Sequence, residues 1–165
     1  MGKVTVELIP KTVFFSNVRT LLKQKYWDLV RKDSYEKAEH KCEICGEKGK
    51  DQGFRHDVEC HEIWDYNDKT RVQKLTGLIS LCPKCHQVKH FGRTSAIGKQ
   101  AEAFKHMENV NNWSHRDCVK HVAEAFEEWN DRSKYKWNLD LSYLSDNYKI
   151  PVKMLTEAQN KRKKL

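Results

Sequence analysis

Two Cys-x-x-Cys motifs constrain this chain more than any other feature. Cys42-Glu-Ile-Cys45 and Cys82-Pro-Lys-Cys85 are separated by 36 residues. Each turn offers two thiolates to one ion, and Zn²⁺ takes four such ligands tetrahedrally, so the pairs read as a single structural zinc site. The second pair runs into His86-Gln-Val-Lys-His90, two imidazoles four residues apart. On a helix that spacing stacks both rings on one face, where they can share a second metal ion or a phosphate. Between the pairs lies His56-Asp-Val-Glu-Cys-His61-Glu62-Ile-Trp64, the densest run of ligand-type residues. The expected arrangement is a zinc knuckle that staples a histidine-rich second site. His56 reads as a loop residue and His40, just before the knuckle, as structural. Of the two remaining cysteines, Cys118 reads as a buried helix thiol, and Cys60 adjoins His61.

The rest of the composition sets the class. In 165 residues, 38% are hydrophobic and 33% charged, which suits one domain with extensions and a small core helped by a metal. The formal net charge is +8, and Lys161-Arg-Lys-Lys164 supplies four of the positive charges. That balance favours a polyanionic partner such as nucleic acid, DNA or RNA; a soluble protein that is merely basic is the plainer reading. No apolar run approaches the ~18–20 residues of a membrane span, and Met-Gly-Lys-Val-Thr-Val-Glu lacks the apolar core of a signal peptide. The expectation is an intracellular, cytoplasmic protein without a membrane partner, where reduced thiols favour metal over disulfides.

In chain order, Val4 to Ile9 alternates as a short strand ended by Pro10. Ser16 or Asn17 caps a short helix through Leu22, and a second helix runs from about Lys25 to His40 with Trp27, Val30, Tyr35 and Ala38 as its apolar stripe. Residues 46–54 are a polar loop. Val58 to Trp64 reads as a strand, Tyr66 to Arg71 as a turn, and Val72 to Leu81 holds a second strand at Gly77 to Leu81. A helix starts near Cys85 or His86. Ala96 to Val110 is helical, with Ala101, Phe104 and Met107 at helical spacing, and Asn111-Asn112 breaks it. Ser114 and Asp117 form a capping box for a helix carrying Cys118, Val119, Val122, Phe126 and Trp129 on one face. Trp137 to Tyr143 alternates as a strand, residues after Tyr148 fray, and the basic tail is disordered. The expected division is 1–40 as lead-in, 41–93 as zinc-stapled core, 94–148 as helical extension and 149–165 as tail.

With strand, strand and helix in this order, the central stretch resembles the HNH endonuclease family. The resemblance rests on Cys42-Glu-Ile-Cys45-Gly46, Val58-Glu-Cys-His61-Glu-Ile-Trp64 and Leu78-Ile-Ser-Leu-Cys82-Pro-Lys-Cys85-His86-Gln-Val-Lys-His90, with Trp27-Asp-Leu-Val-Arg31 similar to the helix that leads into the first knuckle. It covers roughly residues 25–92. It implies an α+β protein with a ββα-metal core, N- and C-terminal helical extensions, and hydrolysis of DNA phosphodiester bonds by a Mg²⁺ or Mn²⁺ ion, leaving 3′-hydroxyl and 5′-phosphate ends. The family shows Asp-His or His-His before the isoleucine; here His61-Glu62-Ile63 stands. Aligned on Ile63, His61 is a metal ligand and Glu62 the general base. Shifted by one, His61 is the base and Cys60, a poor Mg²⁺ ligand, takes the ligand place. Gly77 occupies the family's asparagine place. His86 matches the helix ligand and His90 a second histidine.

Lys84, Lys89 and Arg93 are the candidate phosphate contacts, with Lys89 and Arg93 on one helical face. Two rivals to the nuclease remain: a zinc-stapled nucleic-acid-binding domain without catalysis, and a protein-binding inhibitor or adaptor on a decayed scaffold. In the second case residues 94–148 would carry the protein partner or a homo-oligomer contact.

Overall fold

A computed structural model describes residues 2–14 and 17–162. It is an α+β fold with eight α-helices and one three-stranded sheet among the described residues. The helices are α1 (Val18–Leu21), α2 (Gln24–Lys37), α3 (Pro83–Lys89), α4 (Phe91–Ala96), α5 (Gln100–Asn111), α6 (His115–Arg132), α7 (Ser142–Tyr148) and α8 (Val152–Arg162). Strands β1 (Glu59–Asn67) and β2 (Val72–Leu81) form an antiparallel hairpin, and β3 (Asn138–Asp140) joins β2 in parallel. Among the described residues, no helix is long and apolar enough to cross a membrane.

The hairpin divides the molecule into two apolar clusters, because alternate strand residues face opposite sides. His61 pairs with Ile79 and Glu59 with Leu81, while Cys60 pairs with Ser80 and Glu62 with Leu78. On the first face Leu81 and Ile79 meet Val4, Val6, the knuckle cysteines, Val88, Met107 and Cys118. On the second, Leu75, Leu78 and Cys60 meet Val18, Trp27, Val30, Leu141, Leu144 and Leu155. Thr76 is the extra residue where the register shifts beyond Ile63, and its hydroxyl donates to the Ile63 carbonyl at 3.1 Å.

Several expectations change. Residues 4–9 are extended but not a strand. Their side chains alternate, with Val4 and Val6 buried, yet Val4 N–H donates to Asn111 Oδ1 and Val6 N–H to His121 Nε2 instead of to a neighbouring strand. Asn17 caps α1 by accepting from Thr20 N–H; Ser16 lies outside the described residues. Ser34, not Tyr35 or Ala38, is the third buried residue of α2. The helix expected from Ala96 starts only at Gln100, after Gly98 at a left-handed φ, with Ala103 and not Ala101 in the core. The Ser114–Asp117 capping box is present, and Val119 is exposed. Only Asn138–Asp140 of the expected 137–143 strand pairs; Ser142 starts α7. The chain beyond Tyr148 does not fray: Ile150, Leu155 and Ala158 are buried against Leu21 and Leu22. Of the basic run, Lys163 and Lys164 lie outside the described residues.

Candidate metal centres

The knuckle brings Cys42, Cys45, Cys82 and Cys85 together, their sulfurs within 4.8 Å of one another. Local backbone geometry does this. Gly46 takes a left-handed φ of 79° and its N–H returns to the Cys42 carbonyl. Glu43 N–H donates to the Ser80 carbonyl, and Ser80 N–H to Glu43 Oε2 at 2.6 Å, which ties the first half-site to the end of β2. Cys82 is the N-cap of α3, its sulfur accepting from Cys85 N–H, with Pro83 following. Thiolates at a helix N-terminus are stabilised by the backbone N–H groups.

The donor set fits zinc. Four soft sulfurs converge, and Cys42 is held down to about 6 by the hydrogen bond from Cys45. Crowding by the other three sulfurs drives Cys85 upward, so all four thiolates coexist only beside a cation. Outer partners are in place: His106 of α5 reaches Cys85 Sγ through Nε2 at 3.1 Å, and Gln52 Nε2 donates to Cys82 Sγ at 3.4 Å. Neither His106 nor Gln52 was singled out by the sequence. His106 lies 21 residues beyond Cys85, with no local motif to mark it.

The second centre forms on the same side of the sheet. His61, buried on β1, meets His86 of α3 and His90 at its C-cap, each offering a ligand atom within 4.8 Å of the others. His86 Nε2 and His90 Nε2 stand 3.1 Å apart. Ligand nitrogens about 2.1 Å from one ion lie about 3 Å apart at right angles, so this pair has the spacing of cis ligands. Burial lowers His61, and burial followed by the charges of His86 and His61 lowers His90 to about 3. Both are therefore neutral, the form that ligates.

Two carboxylates back this trio. Glu59, two residues before His61 and on the same strand face, bonds His86 Nδ1 and also His56 Nε2. Burial would raise Glu59, but His86 and His56 hold it at about 2. Glu7 Oε2 lies 2.9 Å from His61 Nε2, and Glu7 Oε1 accepts from Lys89 Nζ at 2.5 Å. Burial opposes its charge too, and His61 and Lys89 bring it to about 2. Period-two alternation would have found Glu59. Glu7 is 54 residues from His61 and left no local signal.

Two expected site residues, Glu62 and Lys89, stand elsewhere. Glu62 faces the opposite side of the sheet, where Oε1 accepts from Val18 N–H at 2.6 Å and Oε2 from Trp64 Nε1 at 3.1 Å. Burial pushes it up to about 7. Adjacent strand residues cannot both face one site, so Glu62 serves the start of α1 instead. Lys89 is 7% exposed and bonded to Glu7 and Thr5. It does not share a face with Arg93, because the helix breaks at His90. Gly77 sits inside β2 opposite Ile63. Lys84 and Arg93 are exposed.

In comparisons with known proteins, no family model, no curated protein and no solved structure matches the chain.

Proposed function

We propose that the chain is a divalent-metal-dependent endonuclease of the HNH type that hydrolyses phosphodiester bonds in DNA, built on a ββα-metal core. Zinc at Cys42, Cys45, Cys82 and Cys85 is the structural staple, and His61, His86 and His90 hold the working ion. The observation that carries this reading is the convergence of those three imidazoles at the junction of β1 with the helix that completes the cysteine site. An ion in that place would polarise a scissile phosphate and lower the pKa of bound water. Glu59 holds His86 by Nδ1 and leaves Nε2 to ligate. Exposed Lys84 and Arg93 meet the substrate backbone. Three imidazoles favour Mn²⁺ or a later first-row ion over Mg²⁺, which prefers oxygen.

The non-catalytic reading, a zinc-stapled module that binds nucleic acid or a protein partner, draws its support from Glu62. With that carboxylate committed to Val18 and Trp64, the family's base place contributes nothing to the histidine centre. A supercoiled-plasmid nicking assay with Mn²⁺, Mg²⁺, Zn²⁺ and EDTA separates the two. Nicking that needs an ion, vanishes in His61→Ala and persists in Glu62→Gln supports the nuclease. Folded, zinc-loaded protein that cleaves neither DNA nor RNA with any of these ions refutes it.

A further inference from the structure

We infer that residues 4–13 are a strap that delivers Glu7 to His61, that α5 and α6 are the clamp holding the strap, and that Glu7 is thereby a positioning residue for the ion site. This rests on the reading that the three histidines hold an ion, though not on what that ion does.

The strap's polar backbone groups are met by the helical extension along its length. Asn111, the last residue of α5, grips Val4 from both sides, accepting its N–H and donating to its carbonyl, each at 2.8 Å. His121 of α6 accepts from Val6 N–H at 2.9 Å, and Trp129 Nε1 donates to the Ile9 carbonyl at 2.9 Å. Just past α6, Ser133 Oγ accepts from Lys11 N–H at 3.0 Å. At the other edge Glu7 N–H donates to the Lys89 carbonyl at the end of α3. A segment fixed this way has its side-chain directions set: Val4 and Val6 enter the core, and Thr5 and Glu7 turn toward α3.

What Glu7 does there follows from its partners. Lys89 Nζ is bonded to Thr5 Oγ1 and Glu7 Oε1, both on the strap. A buried ammonium is costly without a counter-charge, so this pair fixes one Glu7 oxygen and leaves Oε2 to meet His61 Nε2. A histidine held at one ring nitrogen has its tautomer and orientation set and presents the other nitrogen to a metal. Glu59 does the same for His86 from within the hairpin. Glu7 is not in the group of ligand atoms that lie within 4.8 Å of one another, and its carboxylate is taken up by His61 and Lys89.

The test uses the full chain with zinc in the cysteine site and measures uptake of a second ion, Co²⁺ by its visible absorption and Mn²⁺ by calorimetry. His61→Ala serves as the reference that loses this site. Glu7→Gln is expected to weaken the second ion about 10- to 100-fold, and Asn111→Ala, remote from the site, to weaken it in the same direction. Nitrogen-15 shifts of the His61 ring should report an Nε2–H tautomer in the metal-free wild type and a mixture in Glu7→Gln, a change that loss of packing alone would not produce. Wild-type affinity in both variants while His61→Ala loses the ion would overturn the inference, as would a wild-type chain that takes up only one ion. A chain that binds the second ion as described but cleaves nothing would refute the nuclease reading and leave this one standing.

Discussion

His61 and Glu62 are chain neighbours whose side chains serve opposite faces of one sheet: His61 Nε2 meets Glu7 at 2.9 Å, and Glu62 Oε1 meets Val18 N–H at 2.6 Å. The pair that looks like one catalytic dyad in the sequence is thus one member of the histidine cluster and one structural carboxylate.

The structural role of Glu62 predicts a pH dependence. Burial raises Glu62 from 4.5 to about 7, so the folded state binds its proton more tightly than the unfolded chain. The stability linked to it is complete below about pH 4.5 and lost as pH rises through 7, an effect on the order of 3 kcal/mol. Glu62→Gln carries no charge at any pH. Its stability relative to wild type should therefore improve between pH 5 and pH 8, read from denaturant midpoints. An unchanging difference between the two proteins would exclude the linkage.

Loss of a cysteine ligand is expected to unfold the molecule. Cys82 is both a sulfur donor of the cluster and the N-cap of α3. Structural zinc contributes on the order of 10–16 kcal/mol in small zinc domains, comparable to a whole domain's net stability of about 5–15 kcal/mol. Cys82→Ser should lack bound zinc by elemental analysis and show no cooperative thermal transition. Retention of both zinc and a sharp transition would remove the staple role.

What was legible in the sequence was local. The CxxC spacing, the β1–β2 hairpin, the helix after Cys82 and the Ser114–Asp117 box depend on neighbours within a few residues. Strict alternation also puts His61 and Glu62 on opposite faces, a consequence that alignment on a family pattern obscures. Lys89 and Arg93 satisfy helical spacing, but His90, at ψ 44°, interrupts the helix between them. The α8 helix hid because its stripe of Met154, Leu155 and Ala158 is set among polar residues and needs Leu21 and Leu22 as its partners. Glu7 and His106 reach the two centres only through the tertiary fold.

On the proposed DNA-binding reading, exposure separates the basic residues by their expected effect. Removing one cation that meets a phosphate should reduce the slope of log K against log salt by about 1. Arg93→Ala and Lys84→Ala are each expected to weaken binding and flatten that slope, measured by fluorescence anisotropy across a salt series. Lys89→Ala should leave the slope unchanged, since its ammonium is committed to Glu7. A flattened slope for Lys89→Ala would mean that the strap leaves α3 when DNA binds.

Gly49 is the position where one added carbon should open the zinc site. A Cβ there would stand 2.2 Å from the His56 carbonyl oxygen and 2.7 Å from Pro83 Cδ. Both obstacles are rigid, one backbone and the other the ring that starts α3. Gly49 cannot retreat easily either, because its N–H donates to the Asp57 carbonyl and its own carbonyl accepts from Phe54 N–H. Relief requires both the 56–57 backbone and Pro83 to move, and Pro83 lies between two of the four cysteines. Gly49→Ala is expected to cost about 3 kcal/mol and to speed zinc loss to a chromogenic chelator. Gly53, four residues on, has a left-handed φ of 87° and open space around it, so Gly53→Ala should cost only about 1 kcal/mol with zinc release unchanged. Gly49 itself has an ordinary helical φ of -62°, so equal release rates for the two variants would show that the close approach at Gly49 does not hold the cysteine site together.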